Sequence, residues 1–215
     1  EWLNRVDLRF ARIDPLQHHG HWLIYDDQLD DYDESYLPLN VLDNALRLAG
    51  PAQVTARINP HKTRAGLARN LACTAQNIAQ LFAVYDADRI NCYALKALLG
   101  SFLLLPAYAF QLRGQRLGKR EAIEHADEVF SPVTVELLAI CSQMRRDWGL
   151  VMSRPGVRRL TWALGWFDNA VLWRRFARRF APRFPNREFP QLPAAAVRET
   201  VRQAQTLAGE AECSS

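Results

Sequence analysis

Hydrophobic and polar positions change their spacing along the chain, and the changes divide it into three zones. In Val6-Asp7-Leu8-Arg9-Phe10-Ala11 apolar and polar residues alternate with the period of two expected of a half-buried strand, which places Asp7 and Arg9 on one face. Trp22-Leu23-Ile24-Tyr25 reads as a second short strand. It runs into a turn where Asp26, Asp27, Asp30, Asp31, Asp33 and Glu34 fill six of nine positions. From about Leu39 the pattern becomes helical. A helix from Val41 stops at Gly50-Pro51, because glycine accepts the left-handed conformation and proline cannot continue the ladder. Leu67, Leu71, Ala75, Ile78, Ala79 and Phe82 then recur at steps of three and four, the stripe of an amphipathic helix over 63–85. Residues 88–112 are apolar almost all round, which predicts a helix at the centre of a bundle, kinked at Pro106. A turn over 114–118 leads into a helix over 119–129, and Ser131-Pro132 supplies a cap and first-turn proline for a helix ending at Gly149.

The third zone holds one long aromatic and basic helix over 158–180, a stretch punctuated by Pro182, Pro185, Pro190 and Pro193, and a final polar helix that frays after Leu207. The pattern predicts a mainly α protein with a small N-terminal β portion: residues 1–37 as the β part, 38–209 as a helical bundle and 210–215 as a disordered tail.

Composition narrows the reading. With 215 residues and 49% hydrophobic positions the chain can bury a core, which excludes global disorder. The longest apolar run, 97–110, is shorter than the roughly 20 residues of a membrane span, so it reads as a buried helix and no transmembrane segment is expected. No basic region followed by an apolar stretch opens the chain, so no signal peptide is expected. Cys73, Cys92, Cys141 and Cys213 match neither a zinc knuckle nor a small disulfide scaffold, which points to reduced, buried thiols and a cytoplasmic location. Net charge is only +4, yet nine arginines lie between Arg154 and Arg187 with Asp168 alone opposing them. The basicity is therefore local.

Four clusters carry candidate chemistry. His18-His19-Gly20-His21 beside Asp26 and Asp27 has metal-binding residue types, but no further His or Cys is spaced to complete a shell. Asp26-Asp27-Gln28-Leu29-Asp30 has the DDxxD spacing of isoprenoid synthases, a role that requires the carboxylates to face a large apolar cavity. Trp162, Trp166, Trp173 and Phe180 fall near one stripe, with Arg174-Arg175 and Arg178-Arg179 repeating at i, i+4. Such interleaving grips single-stranded nucleic acid, lies on an anionic membrane, or is a packed tryptophan face backed by a solvated basic one. Finally, Gly114-Gln115-Arg116-Leu117-Gly118-Lys119-Arg120-Glu121-Ala122 presents a lysine at a helix start after a glycine turn, a setting suited to phosphate.

The last segment resembles the C-terminal helical domain of aminoglycoside adenylyltransferases and related polymerase-β-type nucleotidyltransferases. Several of these carry G-x-x-x-S-K-x-x-A after a long apolar helix, and Gly114, Lys119 and Ala122 match it once a one-residue difference in turn length is allowed. Val6-Asp7-Leu8 has the hydrophobic-acid-hydrophobic form of that family's third catalytic acid. The family's Gly-Ser turn followed by Asp-x-Asp is absent from the 215 residues. The resemblance therefore implies the back end of such an enzyme, with 1–37 a remnant of the catalytic sheet. It implies Mg2+ and an NTP, ATP foremost, with nucleoside monophosphate passing to a hydroxyl-bearing acceptor. In that reading Asp7 is the catalytic acid and metal ligand, and Lys119 contacts triphosphate with Arg116 and Arg120 as secondary contacts. Glu121 and Glu124 would meet a cationic acceptor. The competing reading is a non-enzymatic helical module whose arginines, Arg174, Arg175, Arg178 and Arg179, bind nucleic acid, an acidic partner or a membrane surface.

Overall fold

The structure is a computed structural model, and it describes residues 1–16, 24–38, 41, 55–85 and 89–213. In chain order the elements are α1 (Trp2–Ile13), α2 (Asp26–Leu29), α3 (Pro60–Tyr85), β1 (Arg89–Asn91), α4 (Cys92–Phe102), α5 (Leu105–Leu112), α6 (Lys119–Glu124), α7 (Pro132–Arg146), α8 (Trp148–Met152), α9 (Pro155–Ala163), α10 (Ala170–Phe180), β2 (Arg183–Pro185) and α11 (Ala194–Cys213). Short 3-10 turns occupy Ala126–Glu128, Leu164–Trp166 and Asn186–Glu188. The predicted helix at 41–50 and the His18-His19-Gly20-His21 cluster lie outside the described residues, Val41 excepted.

The spacing of apolar residues locates α3 well. It starts at Pro60, whose missing N–H is no loss in a first turn, and Asn59 caps it by accepting from the Lys62 N–H at 2.9 Å. Leu67, Leu71, Ala75 and Ile78 are buried as the stripe predicts; Ala79 is exposed, and the buried line continues through Phe82 to Tyr85. The ring of Phe82 stacks on that of Tyr85 at 5.8 Å. α11 lies along α3, presenting the small residues Ala196, Ala204, Ala208 and Ala211 with Val197 and Thr200, which lets the two axes approach closely. α11 runs on to Cys213 with Ala208 and Ala211 buried, helical past Leu207 where fraying was predicted, and residues 214–215 of the predicted tail lie outside the described residues.

The apolar 88–112 segment does form the centre, but as two helices. Pro106 sits in the first turn of α5 rather than kinking a continuous helix, and the chain breaks at Leu103-Leu104. Cys92–Leu112, 21 residues, holds an 18-residue window of mean hydropathy 1.5, long and apolar enough by length and composition to cross a membrane, and 67% of that window is buried within the bundle. α7 ends at Arg146, and Gly149 lies inside α8.

The chain is mainly α with a small β portion, as the pattern predicts. The β portion lies elsewhere than expected, with β1 and β2 pairing antiparallel, Ile90 opposite Phe184. Residues 6–11, expected to be a strand, belong to α1. Asn4, Asp7, Leu8 and Ala11 form a helical stripe toward the core and α10, and because Asp7 on this inner face is polar while exposed Phe10 on the outer one is apolar, the alternation imitates a period of two. Of the second predicted strand, Trp22 and Leu23 lie outside the described residues, and Ile24 and Tyr25 are not in a strand. The expected 158–180 helix is α9, a 3-10 turn and α10. The Asn169 side chain accepts from the N–H groups of Val171 (2.9 Å) and Leu172 (3.1 Å), starting a new helix where a continuous one was predicted.

Candidate functional site

The acid-rich turn is a docked element. Tyr32 forms a parallel bridge to Ile58, its N–H donating to the Arg57 carbonyl (2.9 Å) and its carbonyl accepting from the Asn59 N–H (2.9 Å). The Tyr32 ring is buried and its hydroxyl donates to the Leu37 carbonyl; burial, then the neighbouring Glu34 and Asp33 charges, push its pKa up to about 12. Asp31 pairs with Lys62, which together with the Asn59 amide lowers the Asp31 pKa. Ser35 approaches α3 at Gly66 so closely that a Cβ there would stand 2.0 Å from Ser35 Oγ. Glycine is required at that crossing.

The glycine turn after α5 reaches the same region. Gly114 takes φ +78, which an L side chain rarely adopts, and the reversal brings Arg116 Nε to 2.7 Å from Glu34 Oε1. The Glu34 carboxylate is 7% exposed, and its own N–H donates to Thr63 Oγ1 at 3.0 Å. Two of the sequence clusters, read separately, thus meet across the start of α3. They border a cleft of about 600 Å3 lined by Glu34, Thr63, Arg64, Arg113 and Arg116, and a cavity of about 740 Å3 lined by Asp33, Arg69, Asn70, Tyr108 and Lys119.

Lys119 lines the second of these cavities, and the carboxylate lining it is Asp33. Lys119 is exposed on its outer side, while the protein around it, and next the Arg145 charge, lower its pKa. Asp7 is not among the residues lining that cavity. It sits on a helix, 13% exposed, where Arg174 Nη1 lies 3.5 Å from its Oδ2. Arg116 is engaged with Glu34, and Arg120, Glu121 and Glu124 are exposed on the short α6. Among the described residues no group of three or more His, Cys, Asp or Glu could hold a metal ion. Asp26, Asp27 and Asp30 are exposed on α2 and its turn, which removes the isoprenoid reading.

The aromatic and basic segment divides. Trp173 is buried, edge-on to Phe167 at 5.4 Å, whereas Trp162 and Trp166 are 71% and 70% exposed and meet edge-on at 5.0 Å. On α10 only Ala170, Trp173 and Ala177 are buried; Arg175, Arg178, Arg179, Val171, Leu172 and Phe180 are exposed. Arg174 is half-buried against Asp7 and does not join them.

A partner for this surface escaped the sequence pattern, namely α1. It runs parallel to α10, Asn4 bonding the Asp168 carbonyl (2.6 Å) and the Ala170 N–H (2.7 Å) and Asp7 facing Arg174 one turn on. It adds exposed Trp2, Phe10 and Ile13 together with Arg5, Arg9 and Arg12. Helical spacing of those three arginines was present in the sequence, but the strand reading hid it. No family model matches the chain, and no curated protein or solved structure matches it.

Proposed function

We propose that the protein is a helical binding module that docks on an anionic membrane surface through α1, α9 and α10. The observation that carries this reading is the concentration of exposed apolar side chains among exposed arginines. Of the fourteen large hydrophobic residues exposed in the described chain, eight lie on these helices and the turn between α9 and α10: Trp2, Phe10, Ile13, Trp162, Trp166, Val171, Leu172 and Phe180. Scattered exposed hydrophobics are ordinary; clustered ones mark an interaction surface. Arg9, Arg12, Arg158, Arg159, Arg175, Arg178 and Arg179 are exposed on the same helices, and none forms an ion pair with a carboxylate among the described residues.

Arginine beside tryptophan, phenylalanine and aliphatic residues is the composition of a helix lying in a bilayer interface, where each basic residue near an anionic surface contributes about 1 kcal/mol. Nucleic acid would use the rings and phosphates but leave Ile13, Val171 and Leu172 without a gain, since stacking needs a π-face. A second copy applying the same surface would bring the arginines together. The negative potential of the cytoplasmic leaflet suits this surface, which favours a location on the cytoplasmic side. Nucleotidyl transfer with Mg2+ and NTP asks for Asp7 and Lys119 on one cleft, and Asp7 is not among the residues lining the Lys119 cavity.

Co-sedimentation with phosphatidylglycerol-containing and pure phosphatidylcholine vesicles tests the reading. Binding is expected to the anionic vesicles only, with a blue shift of tryptophan emission. It should be lost in Arg175→Ser/Arg178→Ser/Arg179→Ser and in Trp162→Ser/Trp166→Ser. Salt-sensitive binding to a single-stranded oligonucleotide with none to vesicles would replace it by the nucleic-acid reading.

A further inference from the structure

The cleft between the start of α3 and the turn after α5 lies on a different part of the chain from the docking surface, and its wall carries three arginines, Arg64, Arg113 and Arg116, around about 600 Å3. Glu34 is the carboxylate in that wall, and Arg116 neutralises it at 2.7 Å. Arg64 and Arg113 leave the cleft with an excess of two positive charges. Among the described residues each is held by a single N–H. Arg64 Nε donates to the Ala211 carbonyl at 3.1 Å, and Arg113 Nη1 to the Glu128 carbonyl at 3.0 Å. Both Nη groups of Arg64, and Nε and Nη2 of Arg113, are then available to a ligand, on guanidinium groups already fixed in place. Thr63 Oγ1 accepts from the Glu34 N–H and retains its own proton to donate. Ile58, Leu67 and Leu112 supply an apolar wall.

We infer that this cleft binds a small phosphomonoester with an apolar body. Two guanidinium groups and a hydroxyl offer more donors than the two oxygens of a carboxylate use, whereas a phosphomonoester brings three acceptor oxygens and about −1.5 to −2 charge at neutral pH. That charge matches the excess on Arg64 and Arg113. The ester's organic part rests on the apolar wall, so the organic phosphate binds more tightly than free inorganic phosphate.

Calorimetric titration of the full chain with phenyl phosphate, inorganic phosphate and benzoate tests this, with thermal shift as a second readout because a ligand selective for the folded state raises its apparent stability. Saturable binding is expected in that order of affinity. Arg113→Lys keeps the charge but loses the fork, and is expected to weaken phenyl phosphate by about tenfold or more. Arg64→Gln should do the same. Far-UV circular dichroism and melting of the unliganded variants verify that they fold. Arg175→Ser/Arg178→Ser is expected to leave the titration unchanged, which separates this cleft from the docking surface. Absence of saturable binding to the parent chain, benzoate binding as tightly as phenyl phosphate, indifference to both cleft substitutions in folded protein, or loss with the α10 substitutions would each overturn the inference.

Discussion

Arg116 Nε stands 2.7 Å from Glu34 Oε1, joining two segments that are 82 positions apart in the chain and that both looked like binding motifs on their own. The pair is unequal, because Glu34 is 7% exposed and Arg116 49%. The guanidinium compensates a carboxylate buried beneath it, so the glycine turn acts first as a clamp on the acid turn. An arginine so employed is poorly placed to be a primary phosphate contact, which is why the cleft's binding capacity falls to Arg64 and Arg113 instead.

Gly66 is the tightest point of that assembly. Alanine is ordinarily the better residue inside a helix by about 1 kcal/mol, yet its Cβ would meet Ser35 Oγ at 2.0 Å and Ser35 Cβ at 2.7 Å. Gly66→Ala is expected to destabilise by about 1–3 kcal/mol, and adding Ser35→Gly to recover most of it. Urea unfolding of both single variants and the double variant measures the coupling.

Lys96 is buried on α4 and pairs with Asp14 at the end of α1. Asp14→Asn leaves a cation without its partner, and the expected loss is about 1–3 kcal/mol, less than for a fully buried pair because Asp14 is 38% exposed and water screens it. Burial, only partly offset by Asp14, lowers the Lys96 pKa below its ordinary 10.5. Between the lowered value and 10.5 the unfolded chain holds a proton that the folded chain has released. Stability from this group therefore rises with pH through that window. Lys96→Met should flatten the rise relative to the parent in unfolding curves collected across it.

The four cysteines should separate into two pairs by reactivity. Burial pushes the thiols of Cys92 and Cys141 up to about 12, while Cys73 and Cys213 are exposed. A thiol reagent at mildly alkaline pH is expected to modify two groups in the folded protein and all four in denaturant. Mass mapping should find the fast labels at Cys73 and Cys213.

Tryptophans predicted to share one stripe should differ widely in cost. Trp173→Ala empties a buried site and is expected to lose about 3–5 kcal/mol, whereas Trp162→Ala removes an exposed ring and should stay within about 0.5 kcal/mol. Chemical denaturation checks both. The contrast matters for function, since it leaves Trp162 and Trp166 free to be changed in vesicle assays without unfolding the protein.

Legible along the chain were the local elements whose signals come from near neighbours: the 3.6 period of α3, the apolar centre from Cys92 to Leu112, the glycine reversal before Lys119 and the concentration of arginine late in the chain. Steric preference and side-chain periodicity act over a few residues, and those features are legible at that range. Whatever depends on distant partners became visible in the folded chain alone. Asp7 and Arg9 read as the polar face of a strand because nothing nearby in sequence shows that Asp7 will meet Arg174, one turn on from Asn4 against the Ala170 N–H, inside a helix pair. Trp162 and Trp173 carry the same ring, and burial of one but not the other follows from the break capped by Asn169 and from what then packs on α10. The pairing of Glu34 with Arg116, and of Asp33 rather than Asp7 with the Lys119 cavity, follows from chain reversals that bring remote charges together, because an ion pair is a property of distance in space and carries no period along the chain.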